Sequence, residues 1–305
     1  RELPTTFGSD RPATTLAAVH KSGDYLTHEK IRRWASLQRS VDYRHRDFLF
    51  SPGEWKGVSW ADVRESSGVA STLVVGHSDQ TISEDDIRKI FDGTAYQTVF
   101  GCNLAPEAAA IDGVYDLPLG IPNRDRSTTT HRIQGSARPL KNAWMKISAP
   151  ELGAQPTLYV NFSPRTHRES RGAALEIASG LAHCLIGDYE QSRRGRARDF
   201  NNMRASGLVV APRGNGVDTH RIWEALLVGA IPVVLAGERT AKILDDLALP
   251  HIALGSWGLL QDWSSLSASY SDLLKVQWDF SPVTAGFWKQ RLLNSVIYPP
   301  ADNSP

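Results

Sequence analysis

The sequence predicts an α/β protein with parallel sheets, built as two halves that face each other across a cleft. Three observations carry this. Short apolar runs with strand character alternate with helical patterns along most of the chain. A polar, Ser/Thr-rich stretch without period, Asn123 to Lys141, separates one such alternating set from another. The length, 305 residues, is about twice that of a usual domain.

The elements follow in order. Arg1 to Thr15 is rich in Pro, Thr and Gly and reads as a loose arm. A helix with mixed faces is predicted across His28 to Arg39. Tyr43 to Trp60 mixes aromatic residues with turn formers and receives no assignment. Ser71 to Gly76 reads as a strand whose apolar run implies burial on both faces, ending in Gly76-His-Ser-Asp79. Ser83 and Asp86 form a capping-box pattern that opens a short helix through Ile87 and Ile90. Strands are predicted over Gln97 to Gly101, leading to Asn103, and over Gly113 to Pro118, leading to Gly120-Ile-Pro122. The second half opens on a strand, Pro156 to Asn161. A helix around Ala173 to Ala182, an arginine-rich segment and a strand over Leu208 to Ala211 follow. A further strand near His251 to Leu254 and amphipathic helices around Ser265 to Trp278 and Phe287 to Val296 complete the chain. The expected division is 1–140 and 141–305, with 123–141 as linker; there is no internal repeat.

Composition narrows the class. Apolar residues make up 41% and charged residues 22%, ordinary values for a globular protein that exclude a fibre, a coiled coil or a disordered tail. With 34 Lys+Arg against 33 Asp+Glu the net charge is +1, so no cationic field marks a nucleic-acid binder. Two cysteines, Cys102 and Cys184, cannot build a disulfide framework or a four-thiolate zinc site, and a reducing compartment is the simpler reading. The best uncharged apolar run, Ala225 to Gly237, is broken by Pro232 and falls short of the roughly 20 residues a membrane span needs. No signal-peptide pattern is visible, and the chain opens on Arg1 rather than Met, as a chain cut from a longer one would. The expected location is cytoplasmic, with the cytoplasmic membrane face as a variant.

The most informative stretch is Gly207 to Leu235, which reads as strand, Gly-rich loop, helix, strand. Gly214 and Gly216 let the backbone turn tightly and approach a ligand. Asp218 or Thr219 is expected to cap the helix. Ile222, Ala225, Leu226 and Gly229 fall on one face, with Gly229 ending the helix. Such a unit points a helix N-terminus at the carboxyl edge of a sheet, where free N–H groups favour an anion. Arg213 in the loop adds a planar cationic fork suited to phosphate. Glu224, in Ile222-Trp-Glu-Ala-Leu-Leu227, is costly to bury unless something hydrogen-bonds it. A ligand with two hydroxyls is one such partner, and a nearby arginine such as Arg221 is the other.

The run Arg213-Gly-Asn-Gly-Val-Asp-Thr-His-Arg-Ile-Trp-Glu-Ala-Leu-Leu-Val-Gly-Ala-Ile-Pro-Val-Val234 resembles the signature of exostosin-like glycosyltransferases. Weaker similarity extends to Asp116 to Pro122 and Leu158 to Ser163, leaving the first 60 residues unmatched. The resemblance implies a GT-B fold of two Rossmann-like domains, acceptor side first and nucleotide-sugar side second. It gives Glu224 to the donor ribose, and Arg213 with the Gly214, Asn215 and Gly216 backbone to the diphosphate. The chain lacks the cysteine-rich character of animal and plant members and looks more like short bacterial or viral relatives, so substrate identity does not carry over.

Other candidates stand beside their plainer readings. Arg168, with Arg165 as competitor, either grips the second phosphate or is a solvated charge; Asn161 and Ser163 flank the same strand end. Thr219, His220 and Arg221 occupy the first helical turn, where His220 suits a donor-site hydrogen bond better than a general base. The cluster Arg193 to Arg198, with Arg204, is a solvated surface or a contact for an anionic acceptor. Trp55, Trp60 and Tyr43 are core residues or stacking platforms for acceptor sugars. Glu84-Asp-Asp86 and Asp245-Asp246 read as helix-start or solvated carboxylates, no metal-ligand spacing stands out, and no cofactor or metal is expected beyond the nucleotide-sugar substrate. Asp79, with His77 in reserve, is the expected base for an inverting transfer, at the edge where open α/β sheets bind ligands; the alternative is that Asp79 caps a turn. The function expected is transfer from a nucleotide-sugar, UDP-linked, to a glycan or glycolipid. The rivals are a non-catalytic carbohydrate- or nucleotide-binding protein and a nucleotide-sugar epimerase.

Overall fold

Runs of β-branched and aliphatic residues build two wholly parallel sheets in the computed structural model, which describes residues 12–41, 48–51, 71–76, 80–123, 133–151, 153–188, 190 and 192–295. The first sheet holds β1 (Phe48–Ser51), β2 (Thr72–Val75), β3 (Thr98–Gly101) and β4 (Val114–Asp116) in that order. Every residue of β2 and β3 is buried, as parallel strands covered on both faces require. Helices α1 (Leu16–Ser22) and α2 (His28–Val41) precede it, and α3 (Glu84–Phe91) and the single turn α4 (Pro106–Ala109) form its crossovers. Leu73, Val75 and Val99 pack on Ile87, Ile90 and Ala108 at one face. Val74 and Phe100 pack on Ile31, Ala35 and two residues of the C-terminal helix, Trp288 and Leu292, at the other. The predicted capping box is present: Ser83 Oγ accepts the Asp86 N–H, and Asp86 Oδ2 accepts the Ser83 N–H.

The second half runs α5 (Ala137–Lys146), β5 (Thr157–Val160), α6 (Arg168–Ser179), β6 (Cys184–Ile186), α7 (Arg193–Ser206), β7 (Gly207–Val210), α8 (His220–Leu227), β8 (Ile231–Leu235), α9 (Arg239–Asp246), β9 (Ile252–Leu254), α10 (Trp263–Leu274) and α11 (Ala285–Ser295). Its strands lie in the order β6-β5-β7-β8-β9. The chain leaves β5 for the edge strand β6 and then crosses to β7 on the other side. Ala174 and Ala178 of α6 pack with Leu158, Val160, Leu208 and Val210 on one face. Phe200 and Met203 of α7 pack with Tyr159 and Val209 on the opposite face. This alternation along each strand follows the two-residue period of the pleat.

One expectation is corrected. The predicted linker is too long: from Ala137 it is already α5, whose Leu140 and Ala143 join the core beside α7. The arginine-rich segment is the helix α7, capped by Ser192 Oγ on the Gly195 N–H.

The chain ends cross over. Val19 of α1 joins the second sheet's core, while α11 closes the first sheet. His20 of α1 is buried and stacked on Trp144 of α5, with centroids 4.4 Å apart. Its Nε2–H donates to the Leu227 carbonyl at 2.8 Å, which leaves Nδ1 to accept the Tyr25 hydroxyl at 2.8 Å. Burial pushes its pKa below the ordinary 6.5. The unfolded chain therefore takes up this proton first, and stability falls as pH drops below about 6.5. Urea unfolding at pH 7.5 and pH 5.0 should show a larger loss for wild type than for His20→Gln; equal losses would contradict the assignment.

Candidate functional site

The reversal of strand order between β5 and β7 opens a crevice outside their carboxyl ends, the place where ligands bind in such sheets. β5 delivers Asn161, Phe162 and Ser163, and β7 delivers the loop Ala211 to Asp218. Arg171, one turn into α6, ties the two together. Its Nε donates to the Arg213 carbonyl at 2.9 Å, its Nη1 reaches the Ser163 carbonyl at 3.5 Å, and its guanidinium lies 5.6 Å from the Phe162 ring centroid. Sequence reasoning named Arg168 and Arg165, both of which are exposed, and missed Arg171, which lies one turn beyond Arg168 on the same helix. A Cβ at Gly214 would stand 3.1 Å from Arg171 Nη2, a tight contact that the guanidinium relieves only by shifting a few tenths of an ångström. Arg213 is half-buried, with Nη2 3.4 Å from the Asn215 carbonyl. Glu238 feels the Arg213 charge, although burial raises its carboxyl above the ordinary range.

Several buried polar atoms around this crevice have no hydrogen-bond partner among the described residues. They include Asn161 Oδ1, Arg213 Nε and Arg221 Nη1. Asn161 is itself only 6% exposed. Its Nδ2 donates to Asp199 Oδ1 at 2.8 Å, so its oxygen is the end left to accept. Buried polar groups without partners are uncommon in folded proteins and mark places where a ligand or water completes the structure.

Behind this edge lies a buried charge network. Glu224 is 3% exposed. Both of its oxygens meet the Arg196 guanidinium, Oε1 on Nη2 and Oε2 on Nη1 at 3.3 Å. Arg196 also lies 3.6 Å from Asp199 Oδ2 and 4.3 Å from the Phe200 ring centroid. Asp199 accepts the Tyr159 hydroxyl at 2.9 Å and stands 3.7 Å from Arg221. Burial, then the Asp199 charge, pushes the Tyr159 hydroxyl far above its ordinary pKa. The arginine cluster thus divides: Arg193 and Arg194 are exposed, Arg198 meets Glu190 at the surface, Arg204 donates to the Ile147, Val228 and Gly229 carbonyls, and Arg196 is an interior ion pair. The arginine facing Glu224 is Arg196 rather than Arg221.

A third cluster joins the strand-end loops of the two sheets. Asp218, fully buried, accepts the Leu119 N–H at 2.8 Å, the Thr219 N–H at 2.6 Å and the Trp223 indole N–H at 2.9 Å. Burial pushes its carboxyl up to about 6 against the pull of those donors. Asn103, in the left-handed region at φ 57°, accepts the Asp218 N–H at 2.8 Å. Gly216 is required beside it, since a Cβ would come within 2.6 Å of the Asn103 amide. His220 Nδ1 lies 2.7 Å from the Gly120 carbonyl, and Arg239 grips Asp116 in a half-buried ion pair. Thr219 occupies the N-cap of α8 but makes no side-chain cap, and Asp218 serves the loop instead of capping. α8 is buried from Ile222 to Leu227, a full cylinder rather than the predicted stripe, and Gly229 follows it at φ 71°.

Asp79, His77, Trp55, Trp60 and Tyr43 lie outside the described residues. Among the described residues no group of three or more His, Cys, Asp or Glu is placed to hold a metal, and no helix is long and apolar enough to cross a membrane. Comparison with known proteins adds no relative: no family model and no curated protein matches the chain.

Proposed function

We propose that the chain is a GT-B glycosyltransferase that moves a sugar from a nucleotide-sugar, UDP-linked, to a hydroxyl of a glycan or glycolipid. The observation that carries this is the set of unpartnered polar atoms, Asn161 Oδ1 and Arg213 Nε, beside Arg171 at the switch point of the second sheet. Two arginines and a Gly-rich loop suit a diphosphate, and an amide oxygen that can only accept suits a nucleoside hydroxyl. The resemblance assigns Glu224 to the ribose. Its carboxylate is held by Arg196, so it reaches a ribose only as that pair loosens, whereas Asn161 accepts as it stands.

In the inverting reaction the acceptor oxygen bonds to the sugar's anomeric carbon as the bond to the diphosphate breaks, and that electron pair leaves with the nucleoside diphosphate. Arg213 and Arg171 stabilise the charge that grows there. Asp79, with His77 in reserve, takes the acceptor's proton. Because arginines carry the leaving charge, transfer is expected to survive chelation.

Incubation with UDP-sugars, with and without oligosaccharide acceptors, tests the proposal. Product should require acceptor, persist in EDTA and show an inverted anomeric centre. Asp79→Asn should lower turnover by roughly 10²–10⁴ while keeping UDP binding, the usual size of acid–base catalysis. Epimerised donor without acceptor, or nucleotide binding with no turnover of any donor, would overturn it.

A further inference from the structure

A cavity of about 720 Å³ lies along β4, the open edge of the first sheet, between α9 and α11. That volume is in the range of small-molecule sites. Its charged lining holds three bases, Arg239, Lys242 and Arg291, and three acids, Asp112, Asp116 and Asp246, of which only some pair directly. Arg239 pairs with Asp116 and Lys242 with Asp246 at 2.8 Å. Asp112 is exposed at the rim. Arg291 makes no ion pair or hydrogen bond among the described residues, and its Nε is buried without a partner. Its guanidinium sits 5.5 Å from the Trp288 ring centroid, within the field of Asp116 and Asp246 but in contact with neither. Tyr115 adds a phenol to the wall, and Ile111, Ile243 and Leu247 form its aliphatic part.

We propose that this cavity binds a small monocarboxylic acid with an apolar body, its carboxylate received by the Arg291 guanidinium. Arg291 is half-buried, with its Nε withdrawn from water and no direct anion, and a carboxylate matches the planar fork of its guanidinium. A carboxylate gives Arg291 the direct contact that Asp112, Asp116 and Asp246 do not make. A second negative charge would face Asp116 and Asp246, so a phosphate monoester fits less well. The aliphatic wall takes the body of the acid. Because β4 belongs to the first sheet and α9 to the second half, the occupant touches both. This inference is independent of the proposed glycosyl transfer.

Calorimetric titration with octanoate tests it, with octanamide and octyl phosphate as matched probes on the intact chain. Octanoate should bind saturably. Octanamide and the Arg291→Gln variant with octanoate should each be roughly 10–100-fold weaker, the value of a charge-assisted hydrogen bond. Octyl phosphate should bind no tighter than octanoate. Ala109→Trp, which fills the cavity from α4, should abolish octanoate binding in a protein with an unchanged melting profile, and it decides the matter where Arg291→Gln fails to fold. Failure of octanoate to bind, equal binding of octanamide, undiminished binding by Arg291→Gln or retained binding by Ala109→Trp would each overturn the proposal.

Discussion

A chain carrying Glu224→Ala should lose ~3–5 kcal/mol of stability in urea unfolding, the cost of leaving one partner of a buried ion pair alone. The carboxylate is the group on which both terminal nitrogens of Arg196 converge, and the Arg196 side chain is only 13% exposed. Without Glu224 the guanidinium keeps its neighbour Asp199 at 3.6 Å and the weaker Gln134 carbonyl at 3.4 Å, neither of which replaces a two-point contact. Arg196→Met should cost a similar amount, because it strands the carboxylate. The double variant Glu224→Met, Arg196→Met should recover most of the loss, since an apolar pair of similar volume leaves no buried charge. Single variants that each cost less than ~1 kcal/mol would show that water reaches the pair and that the network is not interior. The same experiment guards the functional reading, because a loss of nucleotide affinity in Glu224→Ala has meaning only in a protein shown to be folded.

The second large effect is expected at Asp218. Asp218→Ala strands the Leu119 and Thr219 amides and the Trp223 indole N–H at once. Each buried donor without an acceptor costs ~1–3 kcal/mol, so the total should approach ~3–5 kcal/mol with some relief from water entering the gap. Asp218→Asn keeps the volume but presents N–H groups to donors, and should lose ~2 kcal/mol on the same grounds. Asn103→Ala removes the acceptor of the Asp218 N–H and should cost ~1–3 kcal/mol. Because Leu119 belongs to the first sheet's strand-end loop and Asp218 to the second's, these variants should also raise amide hydrogen exchange at Leu119 and Asp218 above that of the sheet cores. A change confined to α8 would instead make Asp218 a local brace of that helix.

Local signals in the sequence carried much of the fold. The four-residue strand β2, the Ser83–Asp86 box and the strand–loop–helix–strand run from β7 to β8 depend on neighbours within a few residues, so periodicity and capping chemistry reveal them. Long-range pairing was not legible in this way. Arg196 sits on α7, where its run of basic neighbours suggests a wet surface, yet only the packing of α7 against α8 brings it to Glu224. Arg171 was hidden because α6 starts at Arg168, before the predicted Ala173, which places a further arginine one turn in and against the strand ends. Asn103 and Asp218 lie in different halves of the chain, and no local pattern joins them. The predicted linker ran too far because the apolar positions of α5 that meet the core, Leu140 and Ala143, are spaced among polar residues.

Titration of UDP into the folded protein tests the central claim most directly, with Arg171→Met and Arg213→Met measured alongside. The account predicts saturable binding by wild type, weakened roughly 10-fold or more in each variant while the variant remains folded, as expected when a charged donor to a phosphate is removed. No binding of UDP, or binding that both variants retain undiminished, would contradict it.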